Sequence, residues 1–299
     1  MYLEHFGLTE WPFGITPDVD FTYRAPSHEE ALTTLRMALA TGEGFVKVTG
    51  EVGTGKTLLC RTLLDCLAGH AVTAYLPHPR LPPRAMLRAL ATELGVKLPR
   101  QGMEHTLYAA VQNGLLRLAQ EGQRVVLCID EAQALPPDTL EALRLLSNLE
   151  TGKRKLLQIV LFGQPELDSL LAGPDFRSLV SRLAFTAHLS PLGRQDFKYY
   201  LRHRLNVAGW RGHQVFSPAA RTLLWWASGG VPRKANILAH KCLMLAYGEG
   251  RHDVGWHHAW VARRDTAQRL RPPASLHTPS PAATAPHSST RSSLEEMSP

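Results

Sequence analysis

Gly50-Glu51-Val52-Gly53-Thr54-Gly55-Lys56-Thr57 packs three glycines, a lysine and two hydroxyls into eight residues and fits the pattern G-x-x-x-x-G-K-[ST] in full. A β-type run precedes it and a helical pattern follows, which is the context this motif needs. Glycines let successive backbone N–H groups turn inward around phosphates and deliver them to the positive end of a helix dipole. Lys56 would reach the β- and γ-phosphates as a point charge, and the Thr57 hydroxyl would ligate Mg²⁺. The nucleotide-contacting set is Gly50, Glu51, Val52, Gly53, Thr54, Gly55, Lys56, Thr57 and Leu58.

About 75 residues further on, Val125-Val126-Leu127-Cys128-Ile129-Asp130-Glu131 is an apolar run ending in two carboxylates. Asp130 at the tip of a buried strand would hold Mg²⁺, and Glu131 would serve as general base toward an attacking water. Three further polar residues stand where they could touch a γ-phosphate. Gln164 follows the next apolar run. Arg182, in Ser181-Arg182-Leu183, could point into a neighbouring subunit's nucleotide, with Arg177 as its competitor. Arg233, in Gly230-Val231-Pro232-Arg233, opens a helix and could reach back to the γ-phosphate.

The elements that must hold these residues alternate. Strands are expected at 44–49, 71–76, 124–129, 156–162 and 184–189, with helices at 27–40, 56–67, 83–94, 104–121 and 137–148. Ser27-His28-Glu29-Glu30 reads as a capping box opening the first helix. Strands alternating with helices argue for a parallel five-stranded sheet sandwiched by helices. Beyond Pro191 the β signal stops, and helices are expected at 194–208, 217–227, 232–247 and 256–270. The expected organisation is an N-terminal segment 1–26, an α/β core 27–191, an all-helical lid 192–267 and a tail 268–299. From 271 to 299, 20 of 29 residues are Pro, Ser, Thr or Ala, so the tail is expected to be disordered.

The net charge of +7 is unevenly spread. Residues 1–191 carry 18 Lys and Arg against 20 Asp and Glu, whereas residues 192–265 carry 12 against 4. The lid is therefore the basic part, suited to nucleic acid, an acidic protein or anionic lipid, unless its charges form a solvated helical face. Four cysteines are too few for a disulfide framework, and Cys60 and Cys66 are expected to be core thiols. Trp210, Trp225 and Trp226 are expected in inter-helix packing, and His252, His257 and His258 show no carboxylate or Cys partner at metal-like spacing. No run of roughly 18 apolar residues and no basic-then-apolar leader is present, which excludes integral-membrane and secreted disulfide-rich classes and leaves a cytoplasmic globular protein as the expectation.

Together, the phosphate loop, Asp130-Glu131, Gln164, Ser181-Arg182 and Gly230-Val231-Pro232-Arg233 form the set of an AAA+ P-loop NTPase. Phe6-Gly7-Leu8, Pro12-Phe13, Thr16-Pro17, Asp130-Glu131-Ala132-Gln133 with Leu135 and Pro136, and Phe162-Gly163-Gln164-Pro165-Glu166-Leu167 resemble the ExeA/GspA family of secretion ATPases, nearest the branch serving MSHA-type pili. The likeness runs from about residue 2 to 267. It implies an ATPase using ATP and Mg²⁺, acting as a homo-oligomer (ring or filament) on pilus or type II secretion assembly proteins, and peripheral to the inner membrane. It also implies that Phe6, Trp11 and Phe13 wall the adenine pocket. His78, in Pro77-His78-Pro79, stands where such relatives often have Asn gating the base, which puts coupling of hydrolysis to partner binding in doubt. A second resemblance, to transposition ATPases of the TniB type, implies DNA binding through the basic lid.

Overall fold

A computed structural model of the chain describes residues 2–16, 18–98, 103–152 and 154–269; the expected tail lies outside them from residue 270 on. Five strands form one parallel sheet: β1 (Phe45–Gly50), β2 (Val72–Leu76), β3 (Val125–Ile129), β4 (Gln158–Gly163) and β5 (Leu183–Leu189), ordered β2-β3-β4-β1-β5. Register pairs Val48 with Phe162 and Ala187, and Cys128 with Val160. Central β3 and β4 are buried at every residue, as strands covered on both faces must be. The one polar residue inside, Gln158, donates its amide to the Leu39 and Glu43 carbonyls at 3.1 and 3.0 Å.

Period-two alternation divides the core into two layers. Val46, Val48, Val126, Cys128, Val160 and Phe162 face α2 (Pro26–Thr41) and α3 (Lys56–Leu67). Leu127, Ile129, Ile159 and Leu161 face α4 (Pro83–Glu93), α5 (Glu104–Gln120) and α6 (Pro137–Ser147). The α3 bounds match the sequence expectation, and the other helices of this layer agree within a residue or so. The capping box does not form. Ala25 is the N-cap, with no side-chain cap hydrogen bond, and Pro26 occupies the first turn. Proline's fixed φ already starts the helix there, so Ser27 falls inside it.

Helices α7 (Glu166–Leu171) and α8 (Arg177–Val180) lead into β5. The helical part follows, built of α9 (Arg194–Val207), α10 (Pro218–Ser228), α11 (Pro232–Gly248) and α12 (Trp256–Arg269). Ser217 accepts the Ala220 N–H at 3.2 Å and caps α10. The apolar cluster of these helices includes Tyr2 of α1 (Tyr2–His5), Phe6, Leu8, Phe13 and Phe21, so the N-terminal segment packs on the lid helices. Among the described residues, no helix is long and apolar enough to cross a membrane.

Candidate functional site

Sheet order explains where the site forms. β1 has neighbours on both sides that arrive by separate crossovers, so the carboxyl ends of β1, β3 and β4 open into one crevice. The glycine loop leaves β1 into α3 with Gly53 and Gly55 at φ of +85° and +104°. Neither position tolerates a side chain. A Cβ on Gly53 would meet the Arg233 Cβ at 2.6 Å, and one on Gly55 would meet His28 Nε2 at 2.7 Å.

The loop, the N-terminal segment and the helical part enclose a cavity of about 320 Å³. Its lining includes residues 52–58, Glu131, Tyr200, Arg204, Arg233 and Asn236. From the N-terminal segment come Gly14, Ile15, Thr16, Phe21 and Tyr23. Phe6 and Phe13 do not line it; they are buried in the helical cluster. Trp11 packs against Tyr2 and His240 instead. Phe21 and Tyr23, and not Phe6 or Phe13, are the aromatic residues of this segment that line the cavity, because Phe6 and Phe13 anchor the segment to the helices.

Lys56 is nearly buried and donates from Nζ to the Gly50 carbonyl at 2.7 Å and the Glu51 carbonyl at 3.0 Å. Burial pulls its ammonium below the usual lysine range, against the nearby carboxylates of Glu131 and Asp130. Thr57 Oγ1 donates to Asp130 Oδ2 at 2.6 Å, which places the two expected Mg²⁺ ligands side by side. Asp130 Oδ1 accepts the Glu131 N–H at 2.9 Å.

Glu131 is the one non-glycine among the described residues with positive φ, at 51°. Such a backbone stores strain of about 1 kcal/mol or more and is typical of functional turns. Glu131 Oε2 accepts from Gln133 Nε2 at 2.6 Å and from Gln164 Nε2 at 3.0 Å. Burial alone would raise this carboxyl. The two amide donors and the charges of Lys56 and His78 outweigh it, leaving Glu131 below its ordinary value. Gln133 also accepts the Gln164 N–H at 3.0 Å, linking the tips of β3 and β4.

Lys56, Thr57, Asp130, Glu131 and Gln164 therefore converge in one crevice. Arg233 joins them from the helical side, its N–H donating to the Gly53 carbonyl at 3.2 Å. Arg182 does not line the cavity; its guanidinium bonds the Asn148 side chain, while Arg177 is exposed on α8.

Several cavity residues escaped the sequence reading. Arg204 donates to the Pro12 carbonyl at 2.6 Å and the Gly14 carbonyl at 3.2 Å. Asn236, itself accepting from Tyr200 at 2.5 Å, donates to Gly14 at 2.9 Å. His28 has a buried Nδ1 without a hydrogen-bond partner among the described residues, and burial lowers its pKa. An orphaned imidazole nitrogen, a buried ammonium and inward-turned glycines beside a 320 Å³ space fit a polyphosphate ligand. Gln133 was visible in its motif, but its reach to both Glu131 and Gln164 was not.

The weaker expectations are corrected in part. Cys60 is buried against the Cys128 thiol, but Cys66 is exposed. Trp225 is half-buried and bonded to the Leu192 carbonyl, whereas Trp226 is 59% exposed. Glu249 supplies the carboxylate that sequence spacing hid, accepting from His257 and His258 at 3.3 and 3.0 Å. His258 Nδ1 accepts the Gly255 N–H at 2.9 Å, so its proton sits on Nε2 facing Glu249. The trio ties the end of α11 to the start of α12 by hydrogen bonds. His252 is stacked on His5 instead, with ring centroids 4.0 Å apart.

This sheet order, loop and carboxylate pair define the AAA-type P-loop NTPase fold, which implies nucleotide binding. The AAA domain family matches residues 39–171. Within that class the chain is ExeA/GspA-like. It is 42% identical over 254 residues to General secretion pathway protein A of Aeromonas hydrophila, covering 85% of this chain and 46% of that relative, so it spans about half the relative's length. Solved structures with the same fold include Cdc6p of Pyrobaculum aerophilum, at 19% identity and TM-score 0.67, covering 83% of this chain and 70% of that one. The Aeropyrum pernix ORC1 protein in complex with DNA shows 20% identity and TM-score 0.61, covering 85% and 69%. The Thermotoga maritima RuvB Holliday junction branch migration motor shows 16% and 0.56, covering 86% and 73%. At these identities the structures speak for the fold alone.

Proposed function

We propose that the chain is a Mg²⁺-dependent ATPase that drives or times assembly of a secretion or MSHA-like pilus machine, working as an oligomer. The observation that carries the hydrolytic part is Glu131, held by Gln133 and Gln164 one residue after Asp130, which is itself bonded to Thr57. Lys56 and the loop N–H groups bind and orient the β- and γ-phosphates. Thr57 and Asp130 would hold the metal, which would supply charge neutralisation on the phosphate oxygens. Glu131 accepts the proton of the attacking water at its carboxylate, and Gln164 fixes that carboxylate's direction. Arg233 reports the γ-phosphate to the helical part through its loop contact. Arg182, outside its own cavity, serves a neighbouring copy. The secretion part is supported by the identity to General secretion pathway protein A.

The test is ATP hydrolysis per subunit against protein concentration, using Lys56→Ala, Glu131→Gln and Arg182→Ala. A specific rate that rises with concentration and collapses in all three supports the proposal. A wild-type rate equal to that of Lys56→Ala removes it.

A second reading, DNA binding in the manner of a transposition regulator, has one observation in its favour. A cavity of about 470 Å³ beside α9 is lined by Lys198, Arg202, Arg211 and Arg221, with no carboxylate among its lining residues. Duplex binding that weakens steeply with salt would support it, and a binding constant indifferent to salt would remove it.

A further inference from the structure

Helix α12 turns one stripe outward that neither the nucleotide cavity nor the helical core uses. Val254, His258, Ala259 and Ala262 are buried, while Trp256 is 60% and Trp260 44% exposed, with Arg263 and Arg264 exposed on the next turn. Trp226 of the neighbouring α10 is 59% exposed and lies under the Arg263 guanidinium, 4.3 Å from the ring centroid. Arg264 stands 5.6 Å over the Trp260 ring. Cation–π contacts of this kind hold ring and guanidinium together on the surface and fix their rotamers in advance. The carboxylate on this helix, Asp265, is bonded to Lys241 at 2.5 Å, so the stripe itself is cationic.

Folding does not account for three exposed indoles on adjoining helices, since burying each would add apolar area to the core. The occupant can be argued from shape and charge. The cavities beside the phosphate loop and beside α9, which could grip a small ligand or an extended peptide, are lined by other residues, and these rings stand exposed on helix faces. Stacked nucleic acid bases use open ring faces, and Arg263 over Trp226 and Arg264 over Trp260 each take one face of those two rings. An anionic lipid surface needs neither groove nor free face. Indoles settle at the headgroup level, guanidiniums pair with phosphates, and a helix with that amphipathic face lies in the interface plane. The excess of 12 basic over 4 acidic residues across 192–265 supplies the long-range attraction.

We propose that the α10–α12 face docks the protein peripherally on an anionic bilayer through Trp226, Trp256, Trp260, Arg263 and Arg264. The docking uses no residue of the nucleotide cavity and stands apart from the ATPase reading.

The experiment is co-sedimentation of the full chain, without nucleotide, with vesicles of phosphatidylglycerol and phosphatidylcholine, against phosphatidylcholine alone, while tryptophan emission is recorded. Binding to the anionic vesicles with a blue-shifted emission is expected. The double variant Trp226→Ala/Trp260→Ala should weaken it by about tenfold or more. Arg263→Gln and Arg264→Gln should each cost about fivefold at low salt. Unchanged nucleotide affinity in the double variant shows that it is folded. Absence of vesicle binding, binding undiminished in the double variant, or a double variant that instead loses self-association or DNA binding would each overturn the proposal. An ATPase-dead Glu131→Gln protein should bind vesicles normally, so failure of one reading does not imitate failure of the other.

Discussion

The carboxyl ends of β1, β3 and β4 and the outer face of α10–α12 use the same residue types in opposite ways. At the strand ends, Thr57, Asp130, Glu131, Gln133 and Gln164 are bonded mainly to one another, and Lys56 to its own loop. On the helical face, Arg263 and Arg264 make cation–π contacts with Trp226 and Trp260, and all four remain open to solvent. A closed polar network fixes atoms for a reaction, and each member depends on the rest. An open cationic face orders only its own side chains in the isolated chain and acquires its binding energy from whatever it meets. Substitutions in the first region should change rate, and those in the second should change partners.

The largest effect follows from the closed network. Glu131→Gln keeps the shape of the side chain but removes the base, and hydrolysis should fall by about 10²–10⁴-fold while nucleotide still binds. Steady-state hydrolysis together with nucleotide titration measures both. If Glu131→Gln retains the rate, the strand-end network is structural and the contrast between the regions dissolves.

Stability should divide the two regions next. Phe162, fully buried on β4 between α2 and α3, should cost about 3–5 kcal/mol when replaced by Ala. Trp226→Ala, though it deletes a larger ring, should stay within about 0.5 kcal/mol, because the indole is more than half exposed. Urea unfolding of the two variants gives the comparison directly.

The sequence displayed the first region far better than the second. The continuous apolar run 125–129 and the helical period behind the glycine loop are local patterns, so β3 and α3 were placed correctly from them. Lys56, Thr57, Asp130 and Glu131, which the structure brings together, could be named because their motifs are tied to spacing along the chain. What stayed hidden depends on distant partners. Arg204 reaches across 192 positions to Pro12 and 190 to Gly14, and no periodicity announces such a pairing. The same limit misjudged Phe6 and Phe13, whose aromatic character suits a nucleotide wall and a helix core equally well. Trp226 and Cys66 were assigned to the core by residue type, although each falls on the outward side of its helix.

The strap formed by residues 12–16 offers an intermediate test, because it ties the cavity to α9 and α11 of the helical part. Arg204 is 7% exposed, sits 4.7 Å over the Phe21 ring and satisfies two carbonyls of the strap. Replacing it by Met keeps most of the apolar bulk but takes this donor from the Pro12 carbonyl and leaves Gly14 with Asn236 alone, at a cost of about 1–3 kcal/mol. Because the strap lines the cavity, KM for nucleotide should rise more than kcat falls. An unchanged KM would show that the strap belongs to the helical core alone.

The smallest effect is also the most specific. Gln133→Ala removes one of the two donors to Glu131 and the acceptor of the Gln164 N–H, so the carboxyl should move back up toward its ordinary value. Glu131 acts as a base only when ionised. In the wild type, activity should therefore persist as pH falls through the usual glutamate range and fail only below it. In Gln133→Ala the acid limb of kcat should lie at higher pH. Stability follows the same sign: a carboxyl depressed in the folded state stabilises above its unfolded pKa, and that contribution is lost as pH falls through the folded one. The stability gap between wild type and Gln133→Ala should thus be present at neutral pH and narrow in acid, as denaturant unfolding at several pH values would record. A substitution that merely loosened packing would lower stability at every pH alike and leave the acid limb where it was. The pH dependence therefore tells a donor that tunes the base from a side chain that only fills space between β3 and β4.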